Sequence, residues 1–97
     1  MTSDCLTAPR VAPGFIVVTT GVQALIEHEA LNPLIYLYRH LSGDWGDVDP
    51  EDWQANQSAL EHGERLLSVY CISDELTLWI ITEWDRSATT LLLPDEY

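Results

Sequence analysis

The chain has no lysine. Its four basic residues, Arg10, Arg39, Arg65 and Arg86, stand against sixteen acidic ones, for a formal net charge of -12. Such a field repels phosphate backbones, RNA and anionic membranes, so direct nucleic-acid binding is disfavoured and a basic protein surface is the favoured partner. Acidity also serves solubility alone, and that reading stays open. The two cysteines, Cys5 and Cys71, are far apart and neither lies in a CxxC pair, which excludes the usual zinc spacings and predicts free thiols. No apolar run approaches the roughly 18 residues a membrane helix needs. The first ten residues, MTSDCLTAPR, lack the basic start and apolar centre of a secretory signal, so the expected location is cytoplasmic. There is no Walker loop, GxGxxG, GxSxG or HExxH, and no cofactor is expected.

What is present suits one domain of 97 residues with 46% hydrophobic content. Residues 1–13 show no periodicity and contain two prolines, which predicts a flexible arm ahead of a single domain over 14–97. Phe15 to Thr19 read as a short strand. Thr20 with Gln23 is a capping-box pattern opening a first helix to about Glu29, with Val22, Leu25 and Ile26 on one face. Asn32-Pro33 opens a second helix, whose buried stripe is expected at Leu34, Leu37, Tyr38 and Leu41 and which Gly43 closes. Asp49-Pro50 opens a third, polar helix with Trp53, Asn56 and Leu60 on one face, ended by Gly63.

From Arg65 the period becomes two, with Leu66, Ser68, Tyr70 and Ile72 on one side of a strand. Ser73-Asp74-Glu75 turns it into a central strand at Thr77 to Trp84, and Thr89 to Leu93 form the last strand before Pro94. The expected fold is α+β in the order β-α-α-α-β-β-β, with helices on one face of a mainly antiparallel sheet of about four strands. The first strand joins at an edge or beside the central strand; sequence does not choose.

Two clusters invite chemistry. The loop Gly43-Asp44-Trp45-Gly46-Asp47-Val48-Asp49 leads into Glu51 and Asp52. Asp47, Asp49 and Glu51 alternate like the start of a calcium loop, but Pro50 and Asp52 occupy positions where that loop needs freedom and a glycine, so no metal is assigned. As a recognition face, Trp45 would be an aromatic anchor rimmed by Asp44, Asp47, Asp49, Glu51 and Asp52; alternatively Trp45 folds back into the core. The second cluster surrounds Asp85-Arg86-Ser87. Glu83 as base, His40 or His62 as acid and Arg86 on a developing phosphorane would make a ribonuclease, and helices followed by a three-stranded meander are similar to the RelE-type toxin fold. The acidic charge argues against an RNA substrate, and His40 in the last turn of its helix has a purely structural account.

Three blocks carry a resemblance: Gly43-Asp44-Trp45-Gly46-Asp47; Gly63 through Tyr70; and Trp79 through Thr90 with Leu92-Leu93-Pro94 and Tyr97. Over about two thirds of its length, from Leu34 onward, the chain resembles short acidic "plasmid-related" proteins of plasmids, integrative elements and prophages. The resemblance implies mobile-element cargo and brings no catalytic residue with it. With the charge, it leads to an expected function: a non-enzymatic interaction protein that inhibits host defence by occupying the basic nucleic-acid channel of a CRISPR or restriction complex. A small RelE-like or barnase-like ribonuclease is the alternative, and an assembly factor of the element is a third. The oligomeric state is not assigned; exposed Trp53 and Trp84 would be compatible with a dimer.

Overall fold

Gly63, with φ 70° and ψ 46°, turns the chain out of its last helix and into the strand from which the sheet is built. The computed structural model describes residues 10–97. In chain order these form β1 (Phe15–Val18), α1 (Thr20–Glu27), α2 (Pro33–Leu41), α3 (Pro50–His62), β2 (Leu66–Ser73), β3 (Leu76–Thr82) and β4 (Ala88–Leu92), with a 3-10 turn at Pro94–Glu96. The class is α+β: three helices and a four-stranded sheet. The terminal turn is one element more than the sequence suggested.

The sheet runs β1-β4-β3-β2 and is mixed. β2 and β3 pair antiparallel, as do β3 and β4, but β1 lies parallel to β4 with Ile16 beside Thr89 and Val18 beside Leu91. The expectation of a mainly antiparallel sheet is corrected at that pair. Residue alternation identifies a strand but not its neighbour; where the chain re-enters the sheet after three helices is decided by tertiary packing.

Register places Leu66, Ser68 and Tyr70 of β2 opposite Thr82, Ile80 and Leu78 of β3, and Leu91 of β4 opposite Ile80. The helices cover this face. Val22 and Leu31 join Tyr70, Leu78, Ile80 and Leu91 in one core cluster, with Leu25, Ile26, Tyr36 and Leu37 packed against it. Val11, Trp45, Ala59 and Leu66 form a second, flanked by Leu41, Val48, Trp53 and Leu60. On the opposite face Tyr97 leans on Trp79 at 5.5 Å, and the Arg65 guanidinium lies over the Tyr97 ring at 5.3 Å.

Several local expectations shift. The cap of α1 is Thr19, not Thr20: its hydroxyl accepts the Val22 N–H. Both carboxylate oxygens of Glu96 complete that helix end, one accepting the Gly21 N–H at 2.9 Å and the other the Thr19 hydroxyl. The stripe of α2 is rotated from the one expected. Leu34 and Tyr38 are exposed and His40 is fully buried, because neighbouring hydroxyls satisfy the imidazole and make it a core residue. Cys71, expected as a small hydrophobe inside an apolar strand, instead faces outward and is exposed. Of the arm expected over 1–13, residues 1–9 lie outside the described residues. Val11 is buried, and the N–H groups of Arg10 and Val11 both donate to the Leu41 carbonyl, so this part of the segment is docked.

Candidate functional site

The loop between α2 and α3 is where the sequence concentrates acid, and its backbone geometry explains how each acid is used. Asp44 lies beside Arg39: Oδ2 accepts from Nε at 2.8 Å and Oδ1 from Nη2 at 3.4 Å. Oδ1 also accepts the Gly46 N–H, and the Asp44 carbonyl accepts the Tyr70 hydroxyl at 2.6 Å. The hydrogen bond from Arg39 holds the Asp44 carboxyl below its usual range, while burial pushes the Tyr70 hydroxyl well above its own. Asp44 is therefore an internal brace.

Trp45 is fully buried, and its indole N–H donates to Gln57 Oε1 at 2.8 Å. The exposed aromatic anchor is corrected to its alternative, a core tryptophan. Gly46 brings the backbone against β2 in a parallel bridge to Val69, with Val69 N–H donating to the Trp45 carbonyl at 3.1 Å and Asp47 N–H to the Val69 carbonyl at 2.6 Å. Only glycine fits, since φ is 80° and a Cβ would meet the Val69 oxygen at 2.1 Å.

Beyond the bridge the chain is exposed. Asp47 Oδ2 accepts the Cys71 N–H at 2.8 Å, and Asp49 Oδ1 caps α3 by accepting the Asp52 N–H at 2.8 Å. Glu51 and Asp52 stand in the first turn of α3, exposed, where the helix dipole favours them. The four exposed carboxylates Asp47, Asp49, Glu51 and Asp52 therefore follow one another along six residues, two of them fixed by backbone amides. They do not converge: among the described residues no group of three or more His, Cys, Asp or Glu side chains could hold a metal ion.

The alternative cluster is not assembled as a site. His40 is fully buried under Trp45, whose ring meets it edge-on at 5.6 Å. A chain of hydroxyls fixes its tautomer. Thr89 Oγ1 donates to the Pro13 carbonyl at 2.8 Å, so it must accept from Thr82 Oγ1 at 2.8 Å. Thr82 in turn accepts from His40 Nε2 at 2.8 Å, which places the proton on Nε2 and leaves Nδ1 to accept from Ser68 Oγ at 2.6 Å. Burial, assisted by the positive charge of Arg86, lowers the imidazole pKa to about 4, so the ring is neutral at physiological pH.

Arg86 is likewise committed. Its Nη1 donates to the Glu64 carbonyl at 2.7 Å, to that of Glu83 at 3.0 Å and to that of Trp84 at 3.3 Å; Nη2 donates to Ala59 at 3.4 Å. The guanidinium closes the end of α3 and the β3-β4 turn. Glu83, half-buried, contributes its backbone to that turn. Glu83, Arg86 and His40 form no open catalytic set.

Sequence reading placed Asn56 on one face with Trp53 and Leu60 but gave it no role, and it missed Gln57. Asn56 is buried on α3 with its amide on the Leu67 backbone, and Gln57 receives Trp45. The signal was a pair of amide side chains inside a helix with a thin apolar stripe. Among the described residues no helix is long and apolar enough to cross a membrane. Comparisons with protein families, with curated proteins and with solved structures find no match to this chain.

Proposed function

We propose that the chain is a non-enzymatic acidic interaction protein whose exposed carboxylate row, Asp47, Asp49, Glu51 and Asp52, engages a basic surface that otherwise holds nucleic acid. The observation that carries this is the fixing of Asp47 and Asp49 by the Cys71 and Asp52 amides. Charges held at set positions before binding lose little conformational freedom on docking, just as phosphates on a regular backbone lose little. Each keeps a second oxygen for an Arg or Lys of the partner. The surrounding charge of -12 steers such a partner in over distance.

The face is smaller than the six residues read from the sequence, because Trp45 belongs to the core and Asp44 to Arg39. The resemblance to mobile-element proteins suggests the partner: a host CRISPR or restriction complex, with the chain acting as an inhibitor of its nucleic-acid channel. The ribonuclease reading loses support at two of its residues, since Arg86 and His40 are both consumed by internal hydrogen bonds.

The test is affinity capture of tagged protein from host-cell lysate at low and moderate salt, beside a Glu51→Lys/Asp52→Lys variant. A nucleic-acid-binding complex should be recovered, weakened by salt, displaced by DNA or RNA, and lost with the double reversal. Undiminished capture by that variant overturns this face.

A further inference from the structure

The two edges of the sheet are treated differently. Along β2 the outward backbone groups are closed in turn: Leu67 by the Asn56 amide, Val69 by the Gly46 bridge, and the Cys71 N–H by Asp47. Along β1 nothing comparable is seen among the described residues. Phe15 and Thr19 donate inward, to the Ser87 and Leu91 carbonyls of the β4 side. By alternation Ile16 and Val18 turn their N–H and C=O groups outward. The strand's side chains are open as well, with Phe15 81% exposed, Ile16 48% and Val17 43%. An uncovered apolar edge is a template for a further strand.

We propose that β1 is a dimer interface, pairing antiparallel with β1 of a second copy about a twofold axis at Val17. The backbone is complementary to itself in this register. Ile16 of one copy faces Val18 of the other, and each pair exchanges two hydrogen bonds, so the outward groups of both residues are satisfied on both chains. Centring the axis on Ile16 or Val18 instead would set the other residue against Gly14 or Thr20, which lie outside the strand. Val17 then meets its own symmetry mate on the outer face, Phe15 approaches Thr19 of the second copy, and the two sheets become one of eight strands.

Charge selects the same occupant. From Val11 to Ile26 the sequence carries no charged residue, although the whole chain has a net charge of -12. A basic partner finds nothing to recognise on this strip, whereas a second copy can approach here without placing carboxylates in the contact. Carboxylates do bracket it: Glu96 is bonded to Thr19, and Asp85 accepts the N–H of Ser87, whose carbonyl receives Phe15. Their mutual repulsion is screened by salt, so this dimer strengthens as salt rises. The acidic-face interaction proposed above weakens with salt, and the two succeed or fail independently.

The experiment is sedimentation velocity on the full chain from about 10 µM to about 1 mM protein, at about 0.05 M and about 0.5 M salt. The expected result is a monomer-dimer equilibrium, weak because the interface is short, and tighter at the higher salt. Ile16→Pro removes an outward donor while leaving the inward bonds of Phe15 and Val17, and should weaken the dimer at least about tenfold. Val17→Glu and Val17→Lys place like charges across the axis and should each be monomeric, whereas an equimolar mixture of the two should restore a heterodimer. That rescue reads the interface even if the proline variant is unfolded. A monomer under every condition, a dimer that weakens with salt, or a dimer unaffected by the Val17 charges overturns the proposal; a monomer that still binds added strand peptides would assign the edge to a different chain.

Discussion

The side-chain amide of Asn56 meets Leu67 as a neighbouring strand would. Nδ2 donates to the Leu67 carbonyl at 2.6 Å and Oδ1 accepts the Leu67 N–H at 3.1 Å. A helix residue thus closes one rung of a sheet edge, and partly buried backbone groups that would otherwise lack this partner are satisfied.

Removing that amide should be costly. Asn56→Ala leaves a donor and an acceptor of Leu67 unpaired beneath α3, for a loss of about 2–4 kcal/mol. Asn56→Asp keeps an acceptor for the N–H but sets a carboxylate against the Leu67 carbonyl, and should be no better. Urea unfolding measures the loss, and faster amide exchange at Leu67 localises it. Normal exchange there in Asn56→Ala would show that the rung is not needed.

His40 predicts a pH dependence with a definite sign. Its pKa is about 4 when folded, below the ordinary value of 6.5, so the unfolded chain binds the extra proton first. Stability is therefore full above pH 6.5 and is lost as the pH falls towards 4, by about 3 kcal/mol over that interval. Asp44 and Glu96 also have lowered values, but they withdraw their contributions below the ordinary 3.8 and 4.5, largely beneath the histidine's window. The check is the urea midpoint between pH 7 and pH 4 for the native chain and for His40→Gln, which can hydrogen-bond but cannot titrate in this range. The variant should show a flatter profile; parallel profiles would remove His40 as the cause.

His40 also shows what local pattern can and cannot reveal. The helix starts at Asn32-Pro33 and Asp49-Pro50, the left-handed glycine after His62 and the alternation of Leu66, Ser68 and Tyr70 were legible because each depends on chemistry within a few residues. The face of α2 was not: an apolar-stripe reading favours Leu34 and Tyr38, while burial of His40 depends on hydroxyls 28 and 42 positions away. For the same reason the acids around Trp45 could be seen as a cluster, but their division into a brace, a strand clasp and a helix cap could not. Cys71 and Gly46 had to be in place before Asp47 had a role.

Two glycines with nearly equal φ should respond very differently to alanine. At Gly46 a Cβ would strike the Val69 carbonyl and the Tyr70 ring, at 2.1 and 2.6 Å, whereas at Gly63 nothing lies within 4 Å. Gly63→Ala should cost only the left-handed conformation, about 1 kcal/mol. Gly46→Ala adds displacement of the loop from β2 and should exceed about 3 kcal/mol. Thermal or urea midpoints compare the pair, and equal losses would mean the loop moves freely away from the strand.

Arg86 should behave as a structural residue. Arg86→Ala leaves the Glu64 carbonyl after α3 and the Glu83 carbonyl in the β3-β4 turn, among others, without their cation, and a loss of about 2 kcal/mol is expected. Arg86→Lys should recover little, because an ammonium cannot spread over four carbonyls as the guanidinium does. Unfolding midpoints of the two variants test this. A stability unchanged in Arg86→Ala would release the guanidinium for another task.

The acidic row allows folding and binding to be separated. Asp49→Ala removes a helix cap and should cost about 1 kcal/mol, and reversal of Asp44 or Asp47 breaks the Arg39 pair or the clasp on Cys71. A combined reversal of Asp44, Asp47 and Asp49 would therefore confuse a lost partner with a damaged fold. Glu51 and Asp52 contribute only through the dipole of α3, about 0.3–1 kcal/mol each, so Glu51→Lys/Asp52→Lys should unfold within about 2 kcal/mol of the native chain. Circular dichroism and urea midpoints establish that margin before any binding is measured. A larger loss would mean that these acids also hold the fold, and the recognition face would then be limited to whatever carboxylates can be reversed without it.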